Sequence, residues 1–289
     1  MEWTEQSPVL TMAELLASSG EAPAHSLRHR PGLPTGLRGL DAVMGGLEPG
    51  TLTVLASRPG LGRSTLLQNI CQWNAGGTLA GRVEERVVVP VLLASAEQSA
   101  EQIMVRALVT AGRVSRDHVR TGQLVEEDIR RLERARSILE AAPLYVLAPA
   151  LLADGQLVEH ARRLVHEHQV QLVGVDGLDA VGQSFSPGQA ARALKALARE
   201  LAVPVLVTAP LGAVSRRPHW MPALEDLDDE VAFTADTVVL VHRDDAYDPT
   251  SRPSEADLVV AKARSSRTAI APDVAFQVHY ARFTDIVSP

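Results

Sequence analysis

Short apolar runs alternate with amphipathic segments along most of this sequence. Five apolar runs that read as buried strands and five segments with helical periodicity lie between residue 52 and residue 208. The runs are Leu52–Ala56, Val87–Ala94, Leu144–Leu147, Gln171–Val175 and Val203–Thr208, and the helical segments are Ser64–Trp73, Ala100–Ala111, Glu126–Ala141, Gln156–His168 and Gln189–Leu201. Strands separated by helices predict a parallel sheet with right-handed crossovers and an α/β fold.

The pattern changes after residue 236. Thr237–His242, Asp257–Ala261 and Val274–Val278 are strand-like, and no helical segment separates them. We expect them to form antiparallel hairpins at one edge of the parallel sheet. The sequence therefore predicts one domain from about residue 31 to 289, preceded by a polar arm over residues 1–30.

The arm contains one structured element. Thr11-Met12-Ala13-Glu14 has the form of a capping box, and apolar Leu15 and Leu16 follow it. This predicts a short amphipathic helix. It can pack on its own domain or on a neighbouring subunit, and the sequence favours neither.

Composition narrows the class of protein. No apolar run is long enough to cross a bilayer, and the N-terminus lacks the pattern of a signal peptide, so we expect a cytoplasmic protein with no membrane contact. A net charge of −7 means that DNA binding would need a local basic patch or a ring of subunits. The single cysteine, Cys71, lies at helical spacing from Leu67 and is expected to be a buried thiol. His160, His166 and His168 do not share one helical face, so we predict no zinc site.

The most informative segment follows the first predicted strand and opens a helix. It consists of Ser57, Arg58, Pro59, Gly60, Leu61, Gly62, Arg63, Ser64 and Thr65. A Gly-containing loop in this context presents backbone N–H groups and a helix N-terminus to phosphate, and Ser64 could bind Mg²⁺. Ser57 replaces the usual first glycine and Arg63 replaces the usual lysine. An ordinary turn before a helix explains the segment as well, on these residues alone.

Two carboxylates support the phosphate-binding interpretation. Asp176 ends an apolar strand, where ligands bind in parallel sheets, and could hold Mg²⁺ through water. Glu97 follows another strand and could polarise an attacking water. Each also has a structural alternative, since many buried strands end in Asp and an acid near a helix N-terminus favours the helix dipole.

Together these residues resemble a known family. The segments Thr35-Gly36-Leu37 and Gly45-Gly46-Leu47-Glu48-Pro49-Gly50, the loop 58–65, Glu97–Gln102, Arg120-Thr121-Gly122, Ala193–Val205, Ala235-Asp236 with Arg243-Asp244, and Lys262-Ala263-Arg264 are similar to the motor domain of DnaB-type replicative helicases. The resemblance covers roughly residues 33–285 and keeps the family's order, which makes it far more specific than the loop alone.

The resemblance implies a RecA-like P-loop NTPase core: a mostly parallel, twisted sheet with helices on both faces and antiparallel edge strands near the C-terminus. Residues 57–65 would bind ATP, Ser64 and Asp176 would bind Mg²⁺, and Glu97 would be the catalytic carboxylate with Arg63 on the phosphates. Lys262 and Arg264 match a finger that reaches the γ-phosphate of a neighbouring subunit. The family assembles as hexameric rings on single-stranded DNA, and the arm occupies the place of its linker helix.

Several positions depart from the family. Arg63 replaces the P-loop lysine, Pro210 stands where a glutamine senses the γ-phosphate, and the segment Asp226–Glu230 lacks an arginine. The loop Gly182–Ala190 has no Lys or Arg, and we expect the family's primase-contacting N-terminal domain to be missing. A cluster of Arg216, Arg217, His219 and Trp220 is a solvated loop or a DNA contact. Two functions stay open: an ATP-driven helicase or translocase with weakened hydrolysis, and a non-catalytic nucleotide-binding paralogue that assembles or regulates partners.

Overall fold

A computed structural model of the chain describes residues 32–77, 87–147, 156–181, 185–212, 221–264, 266–272 and 274–286. The arm with its predicted helix and the basic cluster at 216–220 lie outside these residues. The helices are α1 (Arg38–Met44), α2 (Arg63–Asn74), α3 (Ala100–Gly112), α4 (Arg116–Thr121), α5 (Glu126–Glu140), α6 (Leu157–His168), α7 (Pro187–Leu201) and α8 (Asp229–Thr234). The strands are β1 (Leu52–Ser57), β2 (Val91–Ser95), β3 (Leu144–Leu147), β4 (Leu172–Asp176), β5 (Val205–Pro210), β6 (Thr237–His242), β7 (Asp257–Ala263), β8 (Ala269–Ala271), β9 (Val274–Gln277) and β10 (Arg282–Asp285).

An eight-stranded sheet organises these elements, in the order β3-β2-β4-β5-β1-β6-β7-β8. The first six strands in this order pair in parallel, and β7 and β8 continue the sheet in antiparallel fashion. The strands that were predicted to be parallel are parallel. All the carboxyl ends of the parallel strands meet at one edge of the sheet, which we call the carboxyl edge; the opposite one is the amino edge.

The C-terminal strands differ from the expected hairpins in two ways. Thr237–His242 is not an edge strand, because it pairs in parallel with β1 inside the sheet. The predicted strand Val274–Val278 lies outside the main sheet and pairs with β10 in a separate hairpin.

Two further differences concern the rest of the chain. The strand predicted over Val87–Ala94 begins later than expected, at Val91, because Val87 and Val88 are exposed and lie outside the sheet. The short helices α1, α4 and α8 were not predicted, since six or seven residues carry little periodicity.

Helices cover both faces of the sheet, and the side chains of β1 alternate between the two resulting cores. Leu52, Val54 and Ala56 pack with residues of α6 and α7, whereas Leu55 packs with residues of α2. Cys71 on α2 is fully buried, as expected, and burial raises the pKa of its thiol. In the described part of the chain no helix is both long and apolar enough to span a membrane.

Helix α2 packs closely on the sheet at Gly174. A Cβ on Gly174 would lie 2.5 Å from Sγ of Cys71, so β4 needs a glycine at this contact. This packing fixes α2, which follows the segment of residues 57–62, against the centre of the sheet. The segment is therefore held between two rigid elements.

Candidate functional site

The loop between β1 and α2 lies at the carboxyl edge. Gly60 and Gly62 adopt positive φ angles of 81° and 106°, and Gly62 precedes the first residue of α2. The Leu66 N–H donates to the carbonyl of Gly62 at 2.8 Å, which closes the first helical turn. A reversal of this kind before a helix leaves the first N–H groups of the helix free to bind an anion.

Gly62 is required for a second reason. A Cβ at this position would approach the Phe283 ring to 3.1 Å. Phe283 stacks with Phe276 across the β9–β10 hairpin, with 4.4 Å between ring centroids. Asn69 of α2 binds the same hairpin, because its Oδ1 accepts from the Phe283 N–H at 2.8 Å and its Nδ2 donates to the Ala281 carbonyl at 3.2 Å. The β9–β10 hairpin therefore packs against the end of the loop and against α2.

The unusual residues of the loop bond within it or to nearby groups. Ser57, in place of the first glycine, is fully buried, and its hydroxyl donates to the carbonyl of Arg58 at 2.7 Å. Nη1 of Arg63 lies 3.4 Å from the carbonyl oxygen of Ser57. Arg58 is largely buried and donates to the hydroxyl of Tyr247 at 3.3 Å, so its side chain is directed into the domain.

Asp176 ends β4 at the same edge and is buried. Its Oδ1 accepts from the Thr208 hydroxyl at 3.0 Å. Its Oδ2 accepts from Nε2 of Gln98 at 2.6 Å and from the Ser95 hydroxyl at 3.4 Å. All these donors are neutral, and no lysine or arginine pairs with Asp176 among the residues that the structure describes. A buried carboxylate whose hydrogen-bond partners are all neutral fits a site for a cation held directly or through water.

Ser64 and Glu97 border one cleft of about 750 Å³. Gln98 lies on the same cleft, so its bond to Asp176 connects the cleft to the buried carboxylate. Glu97 is exposed, as a group that accepts a proton from water requires. The structure thus brings together the loop, Ser64, Glu97 and Asp176. Gln98, Ser95 and Thr208 were not predicted, because their contacts with Asp176 join residues 32 to 81 positions apart.

Lys262 and Arg264 do not join this site. Strand β7 runs antiparallel to β6 and places Ala263 opposite Thr237, which in turn lies opposite Thr53 near the start of β1. The loop begins at the other end of β1, about 13 Å away at the usual rise of a strand. Both cations therefore lie at the amino edge of their own chain.

The two cations also have partners in their own chain. Nζ of Lys262 donates to the carbonyl oxygens of Ala232 and Phe233, at 2.7 and 2.9 Å, and so caps the end of α8. Nη1 of Arg264 pairs with Oδ1 of Asp236 at 3.1 Å, while more than half of the Arg264 side chain is exposed. Burial, and then the charge of Arg264, lowers the pKa of Lys262.

Asp236 is the centre of this amino-edge cluster and was not predicted. It is almost fully buried, and its Oδ2 accepts from the Leu52 N–H at 2.8 Å and from the ammonium group of Lys195. Lys195 also donates to the Gly50 carbonyl at 3.2 Å. The cluster joins α7, β1 and the turn before β6, so it is part of the framework of the domain.

Comparison with known proteins decides the family. A sequence model described as "DnaB-like helicase C terminal domain" matches residues 32–285. The chain belongs to this family. It is 32% identical over 277 residues to the replicative DNA helicase DnaB of Leifsonia xyli subsp. xyli, and 29% identical over 267 residues to the replicative DNA helicase DnaC of Bacillus subtilis. These matches cover 92% and 88% of this chain but only 58% and 57% of the two relatives, so the chain spans little more than half their length.

Solved structures support the same fold for this DnaB-like domain. One solved ATPase domain superposes with a TM-score of 0.78 at 22% identity, covering 96% of this chain and 99% of that one. A DnaB-like replicative helicase, studied for its interactions with primase, gives a TM-score of 0.77 at 22% identity over 96% of this chain and 68% of that one. The predicted RecA-like core with helices on both faces is confirmed.

One departure from the DnaB family is located by the sheet register. Pro210 lies opposite Ser57 at the carboxyl edge, directly beside the loop, and is exposed. It occupies the place where a side-chain donor could reach a bound phosphate, and proline has none.

Two of the three histidines of α6 have local partners for their rings. The His168 ring stacks on Tyr145 with 4.4 Å between centroids, and Nδ1 of His160 lies 3.1 Å from Nη2 of Arg163. A different group, His242, Asp244 and Asp257, has ligand atoms close enough for a metal. Arg252 pairs with Asp244 at 3.2 Å and with Asp257 at 2.8 Å, so this group is an ion-pair cluster that holds the turn after β6.

Proposed function

We propose that this chain is the motor domain of a DNA helicase or translocase that binds ATP with Mg²⁺ and hydrolyses it slowly. The observation that carries the proposal is the grouping of Ser64, Glu97 and Asp176 around one Gly-containing loop at the carboxyl edge. Family membership implies a nucleotide site, and the replicative helicases among its relatives suggest DNA as the track. Such a motor would work in the cytoplasm.

Each residue of the site has a task that its position supports. The N–H groups of residues 60–65 would bind the phosphates, since side-chain changes leave the backbone donors in place. Ser64 and Asp176 would hold Mg²⁺, which neutralises phosphate charge when bound. Glu97 would accept the proton of the attacking water in the cleft. Gln98 would position Asp176, because its amide already bonds to that carboxylate.

Arg63 and Pro210 support slow hydrolysis. A P-loop lysine places a compact charge on the phosphates, whereas the guanidinium of Arg63 is a planar fork that bonds to the carbonyl of Ser57. Pro210, in register with Ser57, provides no donor to the γ-phosphate. Fewer donors aimed at the developing charge mean less stabilisation of the transition state.

We also propose that the complete site forms between two copies of the chain. Lys262 and Arg264 lie at the amino edge, away from the loop of their own chain, so only a second copy could use them on its nucleotide. Arg264 is the more suitable of the two, since it is largely exposed while Lys262 is occupied by the end of α8. A ring of such copies is the assembly that this arrangement favours.

The second candidate is a nucleotide-binding paralogue without hydrolysis, favoured by Arg63 and Pro210. Glu97→Gln separates the two. For a motor we expect steady-state hydrolysis, measured with and without single-stranded DNA, to fall by roughly 100-fold or more in this variant, while calorimetry finds Mg²⁺-ATP binding unchanged.

Glu101→Gln is the matched control, because Glu101 lies on the same cleft, four residues further along the chain in the first turn of α3. We expect its hydrolysis to stay near that of the wild type. Equal residual rates in wild type and Glu97→Gln, with nucleotide bound in both, would instead identify the paralogue. Absence of nucleotide binding in the wild type would overturn both candidates.

A further inference from the structure

Two arginines without a carboxylate partner border the cleft that contains Ser64 and Glu97. Arg106, on α3, is half-buried, and its Nη1 is buried with no hydrogen-bond partner among the described residues. Arg116 begins α4, is exposed, and forms no ion pair with any residue that the structure describes. Both side chains thus border the cleft and keep guanidinium donors that no described residue occupies.

Neighbouring arginines behave differently. Arg120, one turn from Arg116, pairs with Asp117 at 3.3 Å, and Arg130 and Arg136 on the exposed face of α5 each pair with a glutamate at 2.7 Å. Carboxylates are also present near Arg106, since Glu97 and Glu101 border the same cleft, yet Arg106 bonds to neither. Arg106 is thus unpaired because of where the fold places it, and not because carboxylates are missing nearby.

The two guanidinium groups also repel one another. Burial is the main cause that lowers the pKa of Arg106, and the charge of Arg116 lowers it further, while the charge of Asp176, which does not bond to Arg106, acts in the opposite direction. A partly desolvated cation beside a second cation is costly unless an anion binds between them. The planar fork of arginine is suited to the oxygens of a phosphate group.

We propose that Arg106 and Arg116 form a second phosphate subsite, which receives inorganic phosphate from the adjacent nucleotide site. Ser64 borders the same cleft, so phosphate leaving the loop enters it directly. Only the source of the phosphate rests on the proposed function; the subsite itself does not. A free phosphate suits the cleft better than a nucleic-acid backbone does, because Glu97, Glu101 and Asp117 also border it and repel a polyanion.

The test is a titration of the full chain with inorganic phosphate, followed by calorimetry, with and without saturating Mg²⁺-ADP. Without nucleotide we expect two phosphate sites, of which Mg²⁺-ADP removes one by occupying the loop. Arg106→Gln should weaken the remaining site by about tenfold or more, and Arg116→Gln should weaken it less, because each removes charge-assisted bonds. Arg130→Gln, which makes the same change of charge outside the cleft, should leave it unchanged.

The outcomes separate this proposal from the previous one. Phosphate binding that Arg106→Gln and Arg116→Gln weaken, in a protein that fails to bind Mg²⁺-ADP, would support the subsite and overturn the nucleotide function. Phosphate that Mg²⁺-ADP displaces completely, or that all three variants bind as the wild type does, would overturn the subsite. A competing oligothymidylate that displaces phosphate from the wild type, and binds Arg106→Gln more weakly, would assign the site to a nucleic-acid backbone and overturn its role for free phosphate. Thermal unfolding of each variant shows whether it is folded. If Arg106→Gln is unfolded, Arg116→Gln decides the result, because Arg116 is exposed and its replacement should not disturb the fold.

Discussion

The two edges of the parallel sheet differ in whether their charged side chains are paired within the domain. At the amino edge, Lys195, Asp236, Arg264 and Lys262 all bond to groups of the same domain. At the carboxyl edge, Asp176 bonds only to neutral donors, and Nε of Arg63 and Nη1 of Arg106 are buried without hydrogen-bond partners in the described part of the chain. Charges that satisfy one another hold the framework together, while charges that the fold leaves unsatisfied are available to a ligand.

Removing the central charge of the amino edge is expected to have the largest effect on stability. Asp236→Asn leaves the ammonium of Lys195 buried without its counter-charge, which typically costs about 3–5 kcal/mol of unfolding free energy. Urea denaturation measures this loss. The double variant Lys195→Met/Asp236→Asn should lose less than the sum of the single variants. Strict additivity would mean that the pair contributes nothing specific.

The corresponding substitution at the carboxyl edge should behave differently. Asp176→Asn removes a buried charge to which no lysine or arginine of the described residues bonds, and Asn still accepts from Thr208. We expect the unfolding free energy without ligand to change by less than about 1 kcal/mol or to rise. Mg²⁺-dependent nucleotide binding should weaken at the same time. A loss of stability as large as that of Asp236→Asn would remove the contrast between the edges.

An effect that depends on pH is expected at Asp41, which lies outside both edge clusters. Burial raises the pKa of its carboxyl to about 6 from 3.8, although the Thr35 N–H donates to it at 2.8 Å. The folded protein thus holds this proton more tightly than the unfolded chain, so its contribution to stability declines as the pH rises from 3.8 to about 6. Asp41→Asn keeps the acceptor and loses the titration. We therefore expect the melting temperature of the variant to exceed that of the wild type at pH 8 and to approach it near pH 4; a difference independent of pH would contradict this assignment.

The sequence predicted those parts of the fold that depend on neighbours along the chain. The alternation of strands and helices, the loop before α2 and the position of Asp176 at a strand end follow from local periodicity and were confirmed. Contacts between distant residues were not predicted. Strand β6 was predicted to lie at the edge but pairs with β1 inside the sheet. This pairing could not be predicted from local patterns, because β1 lies almost two hundred residues earlier in the chain. The Asp236 cluster and the isolation of Arg106 depend on which side chains meet in space, and no periodic pattern records that.

The hairpin beneath the loop has a consequence for the synthesis of the protein. Gly62 and Asn69 rest on Phe283, and the bond between Asn69 and Phe283 joins residues 214 positions apart. While a ribosome is still making the middle of the chain, the loop emerges without the aromatic pair that supports it. Contacts of such long range form late in folding. We therefore expect a nascent chain to complete the packing around this loop only after β10 has been translated.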